Sequence, residues 1–298
     1  MPLRDNKNPS SPSVFQPTAL LREARRQKHL ATVDVPARCI LDPDGDIVRR
    51  LRQTGQAQPC PNWPCYHTAL DTFTLAGQTV GIVGCAVGAP FAVLIAEELF
   101  ASGCRLLVSI TSAGQITPAG PTPYFVIIDR ALRDEGTSYH YVAPSEYSHA
   151  DPGLVAMAAK VFKNKGLAVT VGASWTTDAP FRETAEAIAA ARSKGVLAVE
   201  AFKSKGLAVT VGSSWTTDAP FRETAEAIAA ARSKGVLAVE MEAAALYAFA
   251  QAANRQVLCL AHVTNTMGQT EQDFEKGEAD GTADAMRILE AIVQTRKL

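Results

Sequence analysis

Two acids flank a methionine at Glu240-Met241-Glu242, where the apolar segment VLAVE gives way to the helical pattern MEAAALYAFAQAANR. A carboxylate in apolar surroundings needs a partner or is held protonated. A sugar diol is a fitting partner, because one carboxylate accepts from two hydroxyls. Acidic capping of a helix N-terminus is the plainer alternative, and it explains one Glu more readily than two. A second candidate is the small-residue turn Gly84-Cys85-Ala86-Val87-Gly88, which leads into Pro90 at a helix start. Such a turn aims backbone N–H groups and a helix dipole at one point, which suits an anion. It serves equally as a tight strand–helix connection. The third candidate, Thr111-Ser112-Ala113-Gly114, follows the apolar strand RLLVSI. Open α/β sheets bind ligands at that end of a parallel strand, and the two hydroxyls suit phosphate or sugar oxygens. An ordinary Ser/Thr turn is the alternative. Of the 5 histidines, His140 in Tyr139-His140-Tyr141 is best placed for chemistry. None of them has metal-ligand spacing, so no metal is expected.

The elements that must position these residues alternate in type. TVGIV is a short apolar strand, APFAVLIAEELFA has helical period, Gly103 ends it, and RLLVSI is the next strand. Proline just inside the helix and glycine just past it fit the usual asymmetry. This βαβ unit predicts a parallel sheet. Upstream, RCILDPDGDIVRRL reads as an extended segment running into the turn Asp42-Pro43-Asp44-Gly45-Asp46. Downstream come the loop TSAGQITPAGPTP, the strand YFVII and a polar stretch. A helix capped by Asp151-Pro152 follows. Asn265-Thr266-Met267-Gly268-Gln269 reads as a loop after the strand VLCLAHVT, and an amphipathic helix closes the chain. Residues 1–17, rich in Pro, Ser and Asn, read as a disordered tail, leaving 18–298 as one α/β domain.

Residues 161–200 and 201–240 are nearly the same 40-residue sequence twice, differing only at Val161/Ala201, Asn164/Ser204 and Ala173/Ser213. Each copy reads strand, loop, helix, strand. Repeat arrays need three or more units to bury a continuous core. Two near-identical copies instead indicate a tandem duplication with one copy surplus to the fold. Only Glu240 runs on into Met241-Glu242, so the second copy is expected to fill the core and the first to lie outside it, with Asp178 and Arg182 silent.

The 298 residues are 47% hydrophobic and 20% charged, with a net charge of -1. That balance supports a substantial core and gives no electrostatic case for nucleic acid or an anionic membrane as partner. The 6 cysteines are scattered, and the N-terminus has no apolar leader segment. Both features point to reduced thiols and a cytoplasmic home.

Taken in order, VEMEAAALYAFA, CAVGAPFAVLIAEEL, ITSAGQI, RDEGTSYHY and SWTTDAPF resemble segments of the nucleoside phosphorylase family, of the purine nucleoside and uridine phosphorylase type. The resemblance spans roughly residues 36–295. It implies a twisted mixed central sheet flanked by helices, and a homo-oligomer built from dimers. It also implies cleavage of a nucleoside by phosphate, with no cofactor beyond inorganic phosphate as co-substrate. Carried over, Glu242 holds the ribose hydroxyls, Met241 packs on the sugar, and Glu240 supports Glu242 or adds a ribose contact. Gly45, Asp46, Arg49 (or Arg50), Gly88 and Ser112 fall on the phosphate side. Asp218 and Phe221 fall on the base side, and Arg222 with Asn265 would stabilise the leaving base. His140 lies in a segment similar to the pocket wall.

Three departures are visible. Ser109 stands where the family's phosphorylases commonly carry arginine. Ala86 and Phe91 replace a glycine and a small polar residue. Asn265 stands where purine-specific members often carry aspartate. Related nucleosidases, which use water, also lack that arginine. The rival expectations are therefore a nucleosidase of the same fold and a nucleoside-binding chain without turnover. A dinucleotide-dependent oxidoreductase is disfavoured, because the 84–90 turn is not GxGxxG and no acid ends the next strand.

Overall fold

The computed structural model describes residues 7–116, 121–165, 209–216, 236–266, 276 and 279–295. The architecture is α/β, a mixed sheet with helices on both faces. Its centre is parallel: β1 (Arg38–Asp42) lies between β4 (Gln78–Gly84) and β5 (Leu106–Gln115). Strands covered on both faces read as continuous apolar runs, as VGIV and LLVSI do. The side-chain period of two then divides the core. Cys39 and Leu41 face α3 (Ala89–Ala101) and α5 (Ala243–Ala253). Ile40 faces α2 (Asp46–Gln53), α4 (Pro152–Asn164) and α6 (Thr282–Val293). Helix α1 (Pro17–Lys28) packs on α3. No helix among the described residues is long and apolar enough to cross a membrane.

On one side the sheet continues into the antiparallel strands β3 (Asp71–Leu75) and β2 (Gln58–Pro59). On the other it closes on itself. Strand β5 pairs with β10 (Gln256–Thr266), β10 with β6 (Tyr124–Arg133), β6 with β8 (Val209–Thr216), β8 with β9 (Ala238–Glu240), and β9 returns to β5. A short β7 (Tyr147–His149) adds to β6. Both described strands of the duplicated region, β8 and β9, come from the second copy, whereas α4 ends inside the first.

Three local readings change. Residues 46–53 form a helix rather than an extended segment. Gly45 takes the left-handed conformation at the helix cap (φ 75°), and Asp42 accepts from the Val48 N–H at 2.9 Å, so the turn supplies the cap that β-branched Ile47 and Val48 conceal. The Thr111–Gly114 stretch is strand, not turn, because β10 pairs with it throughout and β9 joins at Gly114. For the same reason Asn265 and Thr266 belong to β10, opposite Gly114 and Gln115 across a bulge after Val263.

Candidate active site

The junction of β9 and α5 separates the two acids of the Glu-Met-Glu motif. Glu240 is buried. One of its oxygens accepts from the Ser214 hydroxyl at 2.5 Å, and the other from the N–H groups of Glu242 (2.8 Å) and Ala243 (2.7 Å). It therefore caps α5, and the capping alternative describes this residue. Met241 is half-buried beside it. Glu242 is 1% exposed, and its Oε1 accepts from the Gly88 N–H at 2.8 Å. Its Oε2 is buried with no hydrogen-bond partner among the described residues.

Gly88 sits at the N-terminal cap of α3 with φ 93°, and its N–H donates to the Glu242 carboxyl. The helix dipole and the amide both favour a negative group there. Burial pushes the Glu242 carboxyl well above the ordinary range; the Glu240 and Asp44 charges add to the rise, while the Gly88 amide and the Thr111 hydroxyl oppose it.

A cleft opens between the β1–α2 turn, β5, β10 and the start of α6. Asp44, Asp46, Thr111, Ser112, His262 and Lys276 are among its walls. Gly45 is required at the turn by its positive φ, and also because a Cβ would meet the Cys85 Sγ at 2.6 Å. Asp46 is held by Arg49 at 2.5 Å and by Lys276, and these cations lower its carboxyl pKa against the opposing effect of burial. Arg49 remains 54% exposed on the outer side of that pair. The Ser112 N–H donates to Asp44 Oδ2 at 2.6 Å. Ser109, in the arginine's stead, is buried with its hydroxyl unpartnered among the described residues. Deeper, Asp42 is pushed up to about 7, mainly by burial.

Of the expected residues, Asp46 and Ser112 line the cleft, Gly45 and Arg49 lie on the turn and helix that carry Asp46, and Glu240, Glu242 and Gly88 meet at the β9–α5 junction, with Met241 between the two acids. Asn265 is placed on β10 beside Gly114, its side chain outside the described set. Asp218, Phe221 and Arg222 lie outside the described residues. His140 is exposed and meets Lys7 at 2.9 Å, away from the cleft walls. Sequence reasoning missed Asp44, His262 and Lys276. His262 is stacked on Phe125 (centroids 4.4 Å apart) and pushed down to about 4 by burial, so it stands neutral in the wall. Asp44 had a legible signal, an acid in the turn after a parallel strand; Lys276 had none.

The α/β sheet thus carries a buried carboxylate at a strand–helix junction and a polar cleft. The chain belongs to the phosphorylase superfamily, whose family model matches residues 37–201 and 197–294. A uridine phosphorylase of Thermococcus kodakarensis is 25% identical over 145 residues, 45% of this chain and 52% of that protein. The chain thus spans about half the length of that relative. The crystal structure of uridine phosphorylase from Vibrio fischeri superposes with a TM-score of 0.60 at 17% identity, covering 87% of this chain and 93% of the other. The same enzyme complexed with 6-hydroxy-1-naphthoic acid gives 0.61 at 17% identity, with 90% and 97% covered. At that identity the likeness concerns the fold.

Proposed function

We propose that this chain cleaves the N-glycosidic bond of a nucleoside with inorganic phosphate, releasing free base and pentose 1-phosphate. The observation that carries the reading is Glu242. It is a buried carboxylate anchored through one oxygen by Gly88, and its other oxygen has no hydrogen-bond partner among the described residues. Bond cleavage passes through a cation-like sugar, as in glycoside hydrolysis. Glu242 fixes the ribose through its hydroxyls, and Met241 packs on the ring. The acceptor sits at the Ser112 amide and the α2 turn, with Lys276 beside it. Asn265 and Arg222 are assigned to the leaving base. The active form is a homo-oligomer built from dimers, as the family resemblance implies.

A second reading, hydrolysis, is favoured by two specific observations: Ser109 in place of arginine, and the Asp44 carboxylate already seated on the Ser112 N–H. The deciding experiment measures base release from uridine and inosine with and without phosphate, and identifies the sugar product. Uridine comes first because the named relatives are uridine phosphorylases. Phosphate-dependent release with pentose 1-phosphate is expected. Equal rates without phosphate, with free pentose released, would convert the function to hydrolysis.

A further inference from the structure

We propose that Asp44 controls acceptor binding: its carboxylate occupies the backbone amide that an anionic acceptor requires, so phosphate binds only by displacing it. The inference rests on the phosphorolysis reading for its biological sense, but not for its test. Strand β5 is flanked by β1 only as far as Ser109 and by β9 only from Gly114. Between them one edge of β5 has no neighbouring strand, and a backbone N–H there must find another partner. For Ser112 that partner is Asp44 Oδ2 at 2.6 Å. The gap in the sheet is therefore an anion seat, and the chain's own carboxylate sits in it.

Asp44 is well set for this. It is half-buried in the β1–α2 turn, which is closed by the Gly45 N–H to the Asp42 carbonyl at 2.9 Å. It lines the same cleft as Asp42, Asp46 and Asp280, with Lys276 paired to Asp46. A phosphate arriving with Asp44 in place meets like charge at contact distance and no open amide. With Asp44 swung aside, it gains the Ser112 N–H and loses the nearest negative charge.

The test is equilibrium dialysis of radiolabelled inorganic phosphate against the full chain, with wild type, Asp44→Ala, Asp44→Asn and Asp280→Asn compared after circular dichroism confirms the fold. Asp44→Ala vacates the seat, while Asp44→Asn keeps a neutral acceptor on it. Asp280→Asn removes a charge from the same cleft without touching Ser112. Phosphate is expected to bind Asp44→Ala at least tenfold more tightly than wild type, Asp44→Asn to an intermediate degree, and Asp280→Asn within threefold of wild type. No tightening in either Asp44 variant, or an Asp280→Asn gain equal to that of Asp44→Ala, overturns the proposal. Phosphate-independent turnover by the wild type bears on the phosphorolysis reading instead, so the two failures are distinct.

Discussion

Replacing Glu242 with glutamine separates its chemistry from its structural role. Oε1 receives the Gly88 N–H at 2.8 Å, and glutamine's carbonyl oxygen can continue to accept it. What changes is Oε2, which becomes an NH2 donor where the ribose hydroxyls need an acceptor. A hydrogen bond to a charged group contributes about 1.5–3 kcal/mol, so losing the grip on two hydroxyls costs roughly 3–6 kcal/mol. At about 1.4 kcal/mol per tenfold, kcat/KM should fall by roughly 10²–10⁴. Stability moves the other way. The carboxyl's pKa is raised by burial, so ionised Glu242 costs folding energy as pH rises, and a neutral amide does not. Glu242→Gln should therefore melt at or above the wild-type temperature at pH 7.5. The assay compares kcat/KM for a ribonucleoside and its 2′-deoxy analogue in both proteins, beside thermal melts. The preference for the ribonucleoside should collapse in the variant. A folded Glu242→Gln within tenfold of wild-type activity, or one that keeps the preference, refutes the assignment of the ribose to Glu242.

Asp42 is pushed from 3.8 to about 7 by burial, so its contribution to stability is full below pH 4 and is lost as pH rises through 7. At 1.36 kcal/mol per pKa unit, Asp42→Asn should gain up to about 4 kcal/mol in urea melts at pH 8 and little at pH 4; an equal gain at both pH values contradicts this. Deleting 161–200 should leave a soluble, active protein, since Phe202 then takes the place of the buried Phe162; an inactive or insoluble product would show that both copies are needed. In the full chain Arg222→Ala should impair turnover and Arg182→Ala should not, read by kcat/KM; the reverse would place the first copy at the pocket.

The fold was legible where side-chain pattern and end signals agreed. The β4–α3–β5 unit is marked by Pro90 and Gly103 and by two apolar strands, and it appears in that order, with α3 at Ala89–Ala101 and β5 running on to Gln115. It was illegible where distant partners decide. Ser112, Ala113 and Gly114 have weak strand propensity, yet they are strand because β10 and β9 supply the hydrogen bonds. Residues 46–53 look extended by composition and are helical because Gly45 and Asp42 cap them. At the site, capping alone explained one of the two acids flanking Met241 more readily than both, and in the structure Glu240 takes the amides of Glu242 and Ala243 while Glu242 takes that of Gly88. Gly88 lies at a helix N-terminus, which suits an anion. That its N–H meets Glu242, 154 residues away in the chain, is something no local pattern carries.

The duplication follows the same logic. The segment ahead of α5 must be the second copy's, because only Glu240 continues into Glu242 and Ala243, whose amides it caps. That fixes β9 and leaves β8 as the open choice, since segments 169–176 and 209–216 differ only at Ala173/Ser213. Whichever strand is used, one connection carries 40 surplus residues: the link from α4 to β8 if the second copy is chosen, or from β8 to β9 if the first is. Loop closure discriminates poorly between these, as each doubling of length costs only about 0.6 kcal/mol. The β8–β9 link, however, is also the one that carries Asp218, Phe221 and Arg222, the residues expected to face the base. With β8 taken from the second copy, as it is here, that link keeps its single-copy length between two paired strands, and the surplus falls between α4 and β8. A fold can absorb 40 extra residues there without altering the register of any strand that reaches Glu242.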